Sequence, residues 1–205
     1  GEVIDNHGGL ADLAAGRIGI IHANSIADDP VRALRAARFA TQLDFTLTDE
    51  TITAVRAAGP LLTSRTSPER VRDELNRLLL TDRPYDIIGR LHELDLLGHV
   101  LPEIAALSGV AQSPPHHEDV QRHTFSVLAW LVLVERIAGG QPVAAAWAEE
   151  VAAILSPHHS ALAVHLAALL DGGFSGRLLL RWGALLHDIG KPATQTIDET
   201  GRIRF

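Results

Sequence analysis

Helix-starting prolines constrain the fold of this sequence more than any other feature. Proline lacks a backbone N–H and is tolerated in the first turn of a helix but not in its interior. Asp29-Pro30 and Ser67-Pro68 each place a capping residue before such a proline, which predicts that a helix begins at each. After Pro68, apolar residues recur at helical spacing on one face: Val71, Leu75, Leu78 and Leu79. The chain is therefore predicted to be built from helices.

The composition favours an all-α fold and excludes several kinds of site. Of the 205 residues, 46% are hydrophobic and only 4% aromatic, which suits packed Ala- and Leu-rich helices better than a β-sandwich. There is no cysteine, so neither a disulfide framework nor a thiolate metal site can form. The net charge of −7 predicts that any contact with RNA is confined to a local basic surface.

Neither a membrane segment nor a signal peptide is predicted. The longest uninterrupted apolar stretches, such as residues 127–134, are too short to cross a bilayer. No signal peptide opens the chain. We therefore expect a cytoplasmic protein with no membrane partner.

Further elements can be placed along the chain. The apolar, β-branched run Ile18–His22 predicts a short strand or an extended connector. Helices are predicted from Thr48 to about Gly59, from Pro84 to about Leu97 and from Glu118 to about Ile137. Residues 177–186 are apolar nearly all round, which predicts a buried central helix.

The helix after Asp29 carries Arg32, Arg35 and Arg38 at every third position. Arg32 and Arg35 share one flank, within reach of the Asp29 carboxylate. A carboxylate can accept from the exocyclic amino group of cytosine or adenine while a guanidinium donates to the adjacent ring nitrogen. Uracil and guanine carry the opposite pattern and would leave both protein groups unpaired. The alternative is a capped amphipathic helix with solvated arginines.

This stretch resembles a known family. Asp-Pro-x-Arg-x-Leu-Arg-Ala-x-Arg-Phe-Ala-x-Gln-Leu-x-Phe, residues 29–45, resembles the nucleotide-selecting helix of the tRNA nucleotidyltransferase and poly(A) polymerase family. The resemblance implies that Asp29 and Arg32 select the incoming CTP or ATP, with Arg35 and Arg38 in the same nucleotide-binding set.

A second motif of the same family follows at the expected place. Ser-x-Glu-Arg-x-x-x-Glu-Leu-x-x-Leu-Leu, beginning at Ser67, resembles the segment that braces the selecting helix. The resemblance implies that Glu69 and Arg70 support the nucleotide site. From the residues alone, a capping turn with surface salt bridges remains the alternative.

The later part of the chain carries a separate motif of histidine and aspartate residues. Leu-Leu-His-Asp-Ile-Gly-Lys-Pro, which contains His187 and Asp188, resembles the signature of the HD phosphohydrolase superfamily, and His123 matches its upstream histidine. The resemblance implies that these three residues hold a divalent ion such as Mg, Mn, Zn or Fe, with Lys191 near the phosphate. A capping and hydrogen-bonding role for the doublet is the alternative. His116 and His117 could line the entrance to the same site.

The two resemblances together imply an all-α architecture in three parts. We expect a remnant of a preceding head or connector with a short strand or extended segment (1–28), a nucleotide-selecting and RNA-binding neck of bundled helices (29–107), and a C-terminally incomplete HD-like helical domain (108–205). Residues 108–117, with glycine and two prolines, are the predicted linker.

The expected function is that of the non-head part of a template-independent RNA nucleotidyltransferase of CCA-adding or poly(A) polymerase type. Its partners would be ATP or CTP and the 3′ end of a tRNA or another RNA. The family's catalytic head carries a Gly-Ser-x-x-Arg-Asp turn and two aspartates, one residue apart, that hold Mg; neither motif occurs here. We therefore expect a fragment that is inactive alone in nucleotidyl transfer. The alternatives are a metal-dependent HD phosphohydrolase acting on phosphoesters and a non-catalytic RNA-binding module.

Overall fold

A computed structural model describes residues 4–114 and 117–205, so His116 lies outside the described residues, whereas His117 is described and exposed. The chain divides into two compact units, residues 1–105 and 106–205. The described residues are mainly helical and include only very short strands, which confirms the predicted all-α class. No described helix is both long and apolar enough to span a membrane. The three-part functional division stays a prediction.

The first unit consists of short helices with one pair of strands. In chain order its elements are α1 (Gly9–Ala14), β1 (Arg17–Ile18), α2 (Ser25–Asp28), α3 (Val31–Leu43), β2 (Thr46–Leu47), α4 (Asp49–Ala57), α5 (Gly59–Ser64), α6 (Pro68–Leu79), α7 (Pro84–Glu93), α8 (Leu97–Val100) and α9 (Pro102–Ala105). The predicted strand at Ile18 is present but short, and β1 pairs in parallel with β2. Helix α4 ends at Ala57, near Gly59-Pro60 as predicted, and the same dipeptide begins α5, because proline is compatible with a first turn.

Helix α3 lies at the centre of the first unit. Its buried face consists mostly of small side chains, with Ala33, Ala37 and Ala40 fully buried. Small side chains allow neighbouring helices to approach closely, and α3 contacts α4, α6 and α7. The predicted apolar stripe of α6 is confirmed, since Leu75, Leu78 and Leu79 are buried. This packing fixes the orientation of α3 and therefore of its arginine-bearing flank.

The second unit is built around a pair of longer helices. Its elements are α10 (Val120–Ala138), α11 (Ala148–Leu155), a 3₁₀ turn (Ser156–His158), α12 (His159–Ala167), α13 (Gly176–Leu186), α14 (Lys191–Thr194), β3 (Thr196–Ile197) and β4 (Ile203–Arg204). Asp119 caps α10 by accepting the N–H of Arg122 at 2.8 Å. The strands β3 and β4 pair antiparallel and form a hairpin that the sequence patterns did not predict.

A buried ion pair joins α10 to α13. Arg181 Nη2 lies 2.7 Å from Glu135 Oε2, and both side chains are about 5% exposed. Arg177 adds a second guanidinium to Glu135 at 3.3 Å. The prediction that α13 is buried all round is wrong: Leu179 and Leu180 are 44% and 45% exposed. Only one face of α13 packs on α10, and that face carries an arginine.

Candidate nucleotide-binding cleft and metal cluster

The start of α3 leaves the Asp29 carboxylate without a capping role. Helix α3 begins at Val31, and the cap position is taken by Pro30 with no side-chain cap bond. The N–H groups of Arg32 and Ala33 donate instead to the carbonyl oxygens of Asp29 and Pro30, at 3.0 and 2.9 Å. The prediction that Asp29 caps the helix is therefore wrong, because backbone carbonyls already satisfy these donors.

The freed carboxylate is held between two arginines. Arg70 Nη2 on α6 donates to both oxygens of Asp29, at 2.9 and 3.0 Å. Arg32 Nε lies 3.8 Å from Asp29 Oδ2, and Arg32 Nη1 donates to the carbonyl of Ser25 at 2.8 Å. Each member of the pair Asp29–Arg32 thus has an anchor of its own, which holds the acid and the guanidinium side by side.

A cleft lies beside Arg32, whereas Asp29 is not among its lining residues. It has a volume of about 320 Å³ and is lined by Arg32 and Arg35, by the apolar side chains of Ile18, Ile20 and Phe39, and by Ser25 among others. The lining is mostly apolar with two guanidinium groups at the α3 side. Such a site suits a flat ring whose polar edge faces α3.

Beneath the arginine flank, one buried acid binds three arginines. Glu74 on α6 is only 1% exposed and lies 2.7 Å from Arg38 Nη2, 3.3 Å from Arg35 Nε and 3.2 Å from Arg77 Nη1. Because a buried carboxylate needs compensating charge, this cluster fixes Arg35 and Arg38 on α3. The sequence offered a signal for it: Glu74 falls inside the otherwise apolar stripe of α6.

Two predicted site residues lie elsewhere. Arg38 faces Glu74 and also donates to Gln42 Oε1 at 2.9 Å, and it is not among the cleft-lining residues. Glu69 lies at the exposed first turn of α6. Hydrogen bonds from its own backbone N–H and from the Ser67 side chain lower the pKa of Glu69. In the described contacts it is Arg70 and Glu74 that connect α6 to α3.

In the second unit, the structure brings together the predicted metal ligands. One ligand atom from each of His123, His187 and Asp188 lies within 4.8 Å of the others. His123 comes from α10, whereas His187 and Asp188 follow α13. His187 Nε2 is 3.1 Å and His123 Nε2 is 3.9 Å from Asp188 Oδ2. The packing of α10 on α13 therefore assembles the cluster.

The donor set fits a divalent cation. His187 Nδ1 lies 2.8 Å from the carbonyl oxygen of Ala184, which favours a hydrogen on Nδ1 and a lone pair on Nε2. That lone pair then faces Asp188 Oδ2, and two acceptors at this distance attract only if a cation or proton lies between them. Among the described residues, Asp188 Oδ2 is buried with no aligned hydrogen bond, and the nearest positive charge is the Lys191 ammonium at 2.7 Å. Two imidazoles and a carboxylate suit Zn, Fe or Mn.

Lys191, the predicted phosphate contact, lies next to this cluster. Its ammonium nitrogen is 2.7 Å from Asp188 Oδ2 and donates to Gln112 Oε1 at 2.6 Å. Gln112 was not singled out in the sequence, because a lone glutamine in a loop has no spacing pattern. Lys191 therefore connects the cluster to the loop before α10.

Similarity to known proteins extends over the whole chain. Residues 44–107 match a family described as "Probable RNA and SrmB-binding site of polymerase A". The chain is 34% identical to the A-adding tRNA nucleotidyltransferase of Deinococcus radiodurans over 100% of this chain and 39% of that protein. It is 32% identical to the multifunctional CCA protein of Pseudomonas paraeruginosa over 97% of this chain and 40% of that protein. The chain thus spans about two fifths of the length of these curated relatives.

A solved structure shares the fold. A structure of a tRNA-processing enzyme superposes with a TM-score of 0.51 at 23% identity, covering 94% of this chain and 45% of that one. The sequence relatives and the selecting-helix motif agree with this likeness. Over its whole length the chain is thus similar to part of the tRNA nucleotidyltransferases, and residues 44–107 match an RNA-binding segment of the polymerase A family.

Proposed function

We propose that this chain is the nucleotide-selecting and RNA-binding part of a tRNA nucleotidyltransferase, which adds CTP- and ATP-derived nucleotides to an RNA 3′ end. The observation that carries the proposal is Arg32, which lines an open cleft and lies 3.8 Å from the Asp29 carboxylate. The curated relatives, named as A-adding and CCA proteins, support the same activity.

The pair can read a base edge because each partner retains hydrogen-bonding capacity. A carboxylate offers about four lone-pair sites, and Arg70 occupies one on each oxygen of Asp29. The remaining sites can accept from the amino group of cytosine or adenine. Arg32 spends one N–H on Ser25 and has others to donate to the ring nitrogen. Uracil and guanine would place donor against donor and acceptor against acceptor.

Other residues have supporting roles in this proposal. Arg35 lines the cleft and is 37% exposed, which suits a second contact to the nucleotide. Arg38 contributes indirectly, since it packs α3 onto Glu74. Arg70 orients the selecting carboxylate, as the family resemblance implied. RNA contacts are assigned to residues 44–107, the segment matched by the family description.

Titration calorimetry of the full chain with the four nucleoside triphosphates tests the selection. CTP and ATP are expected to bind, and UTP and GTP to bind about tenfold or more weakly, the range of one bidentate base contact. Asp29→Asn and Arg32→Gln should each abolish this preference. Arg56→Gln is the matched control, because Arg56 forms an exposed pair with Asp95. Equal binding of all four nucleotides by the unaltered chain would refute the proposal.

The rival of a non-catalytic RNA-binding module makes a different prediction. On that hypothesis, RNA affinity survives Arg32→Ala and Arg35→Ala, and no nucleotide alters it. A filter-binding assay with a tRNA ending in its discriminator base, with and without CTP, separates the two. Enhancement of binding by CTP that is lost in Arg32→Ala supports nucleotide selection.

We further propose that the catalytic carboxylates of the transferase lie outside these 205 residues. The sequence lacks both the Gly-Ser-x-x-Arg-Asp turn and two aspartates spaced by one residue, and two-metal phosphoryl chemistry needs such ligands. Incubation of the chain with tRNA, Mg²⁺ and labelled CTP or ATP should leave the RNA unextended. Extension by this chain alone would contradict this part of the proposal.

The cluster His123–His187–Asp188 supports a second candidate function, metal-dependent hydrolysis of phosphoesters. A divalent ion bound there would polarise a phosphoryl oxygen and lower the pKa of a bound water. His187 is oriented by Ala184, and Lys191 supplies a positive charge at the rim. Metal analysis of the purified chain and a phosphodiesterase assay test this function. One equivalent of metal with turnover, both lost in His187→Ala, supports it; metal-free protein that gains no activity on adding Mn²⁺ or Zn²⁺ refutes it.

A further inference from the structure

A pocket in the second unit is lined by positive charge; it shares Lys191 with the surroundings of the metal cluster but contains none of the three predicted metal ligands. It has a volume of about 320 Å³, and its lining includes Ser113, Lys191, Arg202, Arg204 and Phe205. The β3–β4 hairpin supplies one wall, and the loop before α10 supplies the other. We call it the hairpin pocket. We propose that the hairpin pocket binds a phosphate group.

The hairpin is attached to the loop by polar contacts. Ser113 Oγ accepts the N–H of Ile203 at 2.7 Å, and Arg202 Nη2 donates to the carbonyl of Pro114 at 3.3 Å. Asp198 stabilises the turn by accepting from the N–H groups of Thr200 and Arg202, both at 3.0 Å. These contacts hold the arginine side chains of the hairpin against the loop.

Arg202 provides the positive charge of the pocket that is not neutralised. Among the described residues, no carboxylate lies within ion-pair distance of its guanidinium, whose recorded bond is to a neutral carbonyl. By contrast, Arg204 Nε pairs with Asp198 at 2.9 Å, and Lys191 pairs with Asp188. Among the described contacts of these three cations, Arg202 is the one with no acidic partner, and it can therefore attract an anion.

The pocket also offers directed donors. Because Ser113 Oγ already accepts from Ile203, its own hydrogen is available to donate. Arg202 spends one of its five N–H groups on Pro114, and the planar guanidinium matches a phosphate in a bidentate contact. Lys191 contributes a point charge at the side nearest the metal cluster. A hydroxyl, a guanidinium and an ammonium together suit a tetrahedral oxyanion better than a neutral ligand.

The organic part of a phosphomonoester has a place as well. The ring of Phe205 lines the pocket, is 44% exposed and has the Lys191 ammonium 5.0 Å from its centroid. The volume lies at the lower end of the range for small-molecule sites. If the pocket holds the substrate of a hydrolysis reaction, that role rests on the second candidate function. Binding of phosphate in the pocket requires neither a bound metal nor catalytic turnover.

Phosphorus NMR titration of the metal-free full chain with inorganic phosphate tests the proposal. Saturable binding at one site is expected, weakened about tenfold or more by Arg202→Gln and measurably by Ser113→Ala, since hydrogen bonds to charged groups are strong. Arg136→Gln, an exposed arginine of α10, is the charge-matched control and should bind as the unaltered chain does. Amide hydrogen exchange of the β3–β4 hairpin establishes that each variant keeps its fold.

Two further arms identify the source of the phosphate and separate this proposal from hydrolysis. Ribose 5-phosphate competing with inorganic phosphate indicates a small phosphomonoester; competition only by an oligoribonucleotide with a 3′-phosphate, and not by its 3′-hydroxyl form, indicates an RNA end. His187→Ala should abolish metal binding but leave phosphate binding unchanged. No saturable binding, or equal affinity in the unaltered chain and Arg202→Gln, overturns the proposal whatever the metal site does.

Discussion

Removing the charge of Glu74 should destabilise the first unit strongly, because three arginines converge on this buried side chain. In Glu74→Gln the amide keeps the shape and one acceptor, but Arg38, whose side chain is only 12% exposed, loses its counter-charge. Breaking a buried ion pair by removing one partner costs roughly 3–5 kcal/mol. Since Arg35 and Arg77 are more exposed and can be rehydrated, we expect a loss of about 2–4 kcal/mol in the free energy of unfolding.

The assay must report on the first unit. The three tryptophans, at 130, 147 and 182, all lie in the second unit, so their fluorescence would miss the change. Urea unfolding followed by circular dichroism, with amide exchange of α3, is the appropriate measurement. Asp73→Asn on the same helix is the control, because Asp73 pairs only with an exposed neighbour in the described contacts and its loss should cost less than about 0.5 kcal/mol.

A small effect would refute the reasoning. If Glu74→Gln loses under about 1 kcal/mol, or no more than Asp73→Asn, the arginines do not depend on this carboxylate. A preserved nucleotide preference in a stable Glu74→Gln chain would further show that the cluster does not position the cleft residues.

Three other perturbations have opposed or pH-dependent outcomes. Gly59→Ala should destabilise the protein by about 1–3 kcal/mol, because the new Cβ would lie 2.5 Å from a carbon of the His99 imidazole. Gly89→Ala, which has open space around it inside a helix, should stabilise the protein by about 0.5–1 kcal/mol. Thermal unfolding measures both changes in stability. Arg181→Leu should lose about 3 kcal/mol by tryptophan fluorescence. The double variant Glu135→Leu/Arg181→Leu should recover most of it, because no buried charge remains and Arg177, the other partner of Glu135, is exposed enough to be hydrated. Hydrogen bonds, first from the Thr200 hydroxyl, lower the pKa of Asp198. The β3–β4 hairpin should therefore be fully stable above the ordinary Asp pKa and lose stability as the pH falls below that value. Amide exchange measures this dependence, and Asp198→Asn should abolish it.

The sequence predicted the helices better than the contacts among charged side chains. Periodicity located α6 because packing makes its apolar face repeat, and the capping pattern at Thr48 located α4. The partner of Asp29 was beyond such reasoning, since Arg70 is 41 positions away and only the docking of α6 on α3 brings it near. The same applies to Glu74, whose position in an apolar stripe indicated burial but not which arginines it would meet.

The second unit shows the same limit. The doublet His187-Asp188 could be recognised because its members are adjacent in the chain, and His123 was placed by resemblance. Gln112 and Arg202 carried no spacing pattern, since they reach Lys191 and the loop only after the chain has turned back. The error over α13 arose because its composition is apolar on several faces, whereas burial depends on which face a neighbouring helix covers.

The proline at the start of α3 has a consequence for how a recognition group can evolve. Proline has no amide hydrogen, so the preceding side chain has one donor fewer to accept from at the helix start. The next two N–H groups donate to backbone carbonyl oxygens. The neighbouring acid is then not required for helix integrity and can be devoted to a ligand. Exchanging that acid should therefore alter what the protein recognises long before it alters whether the protein folds.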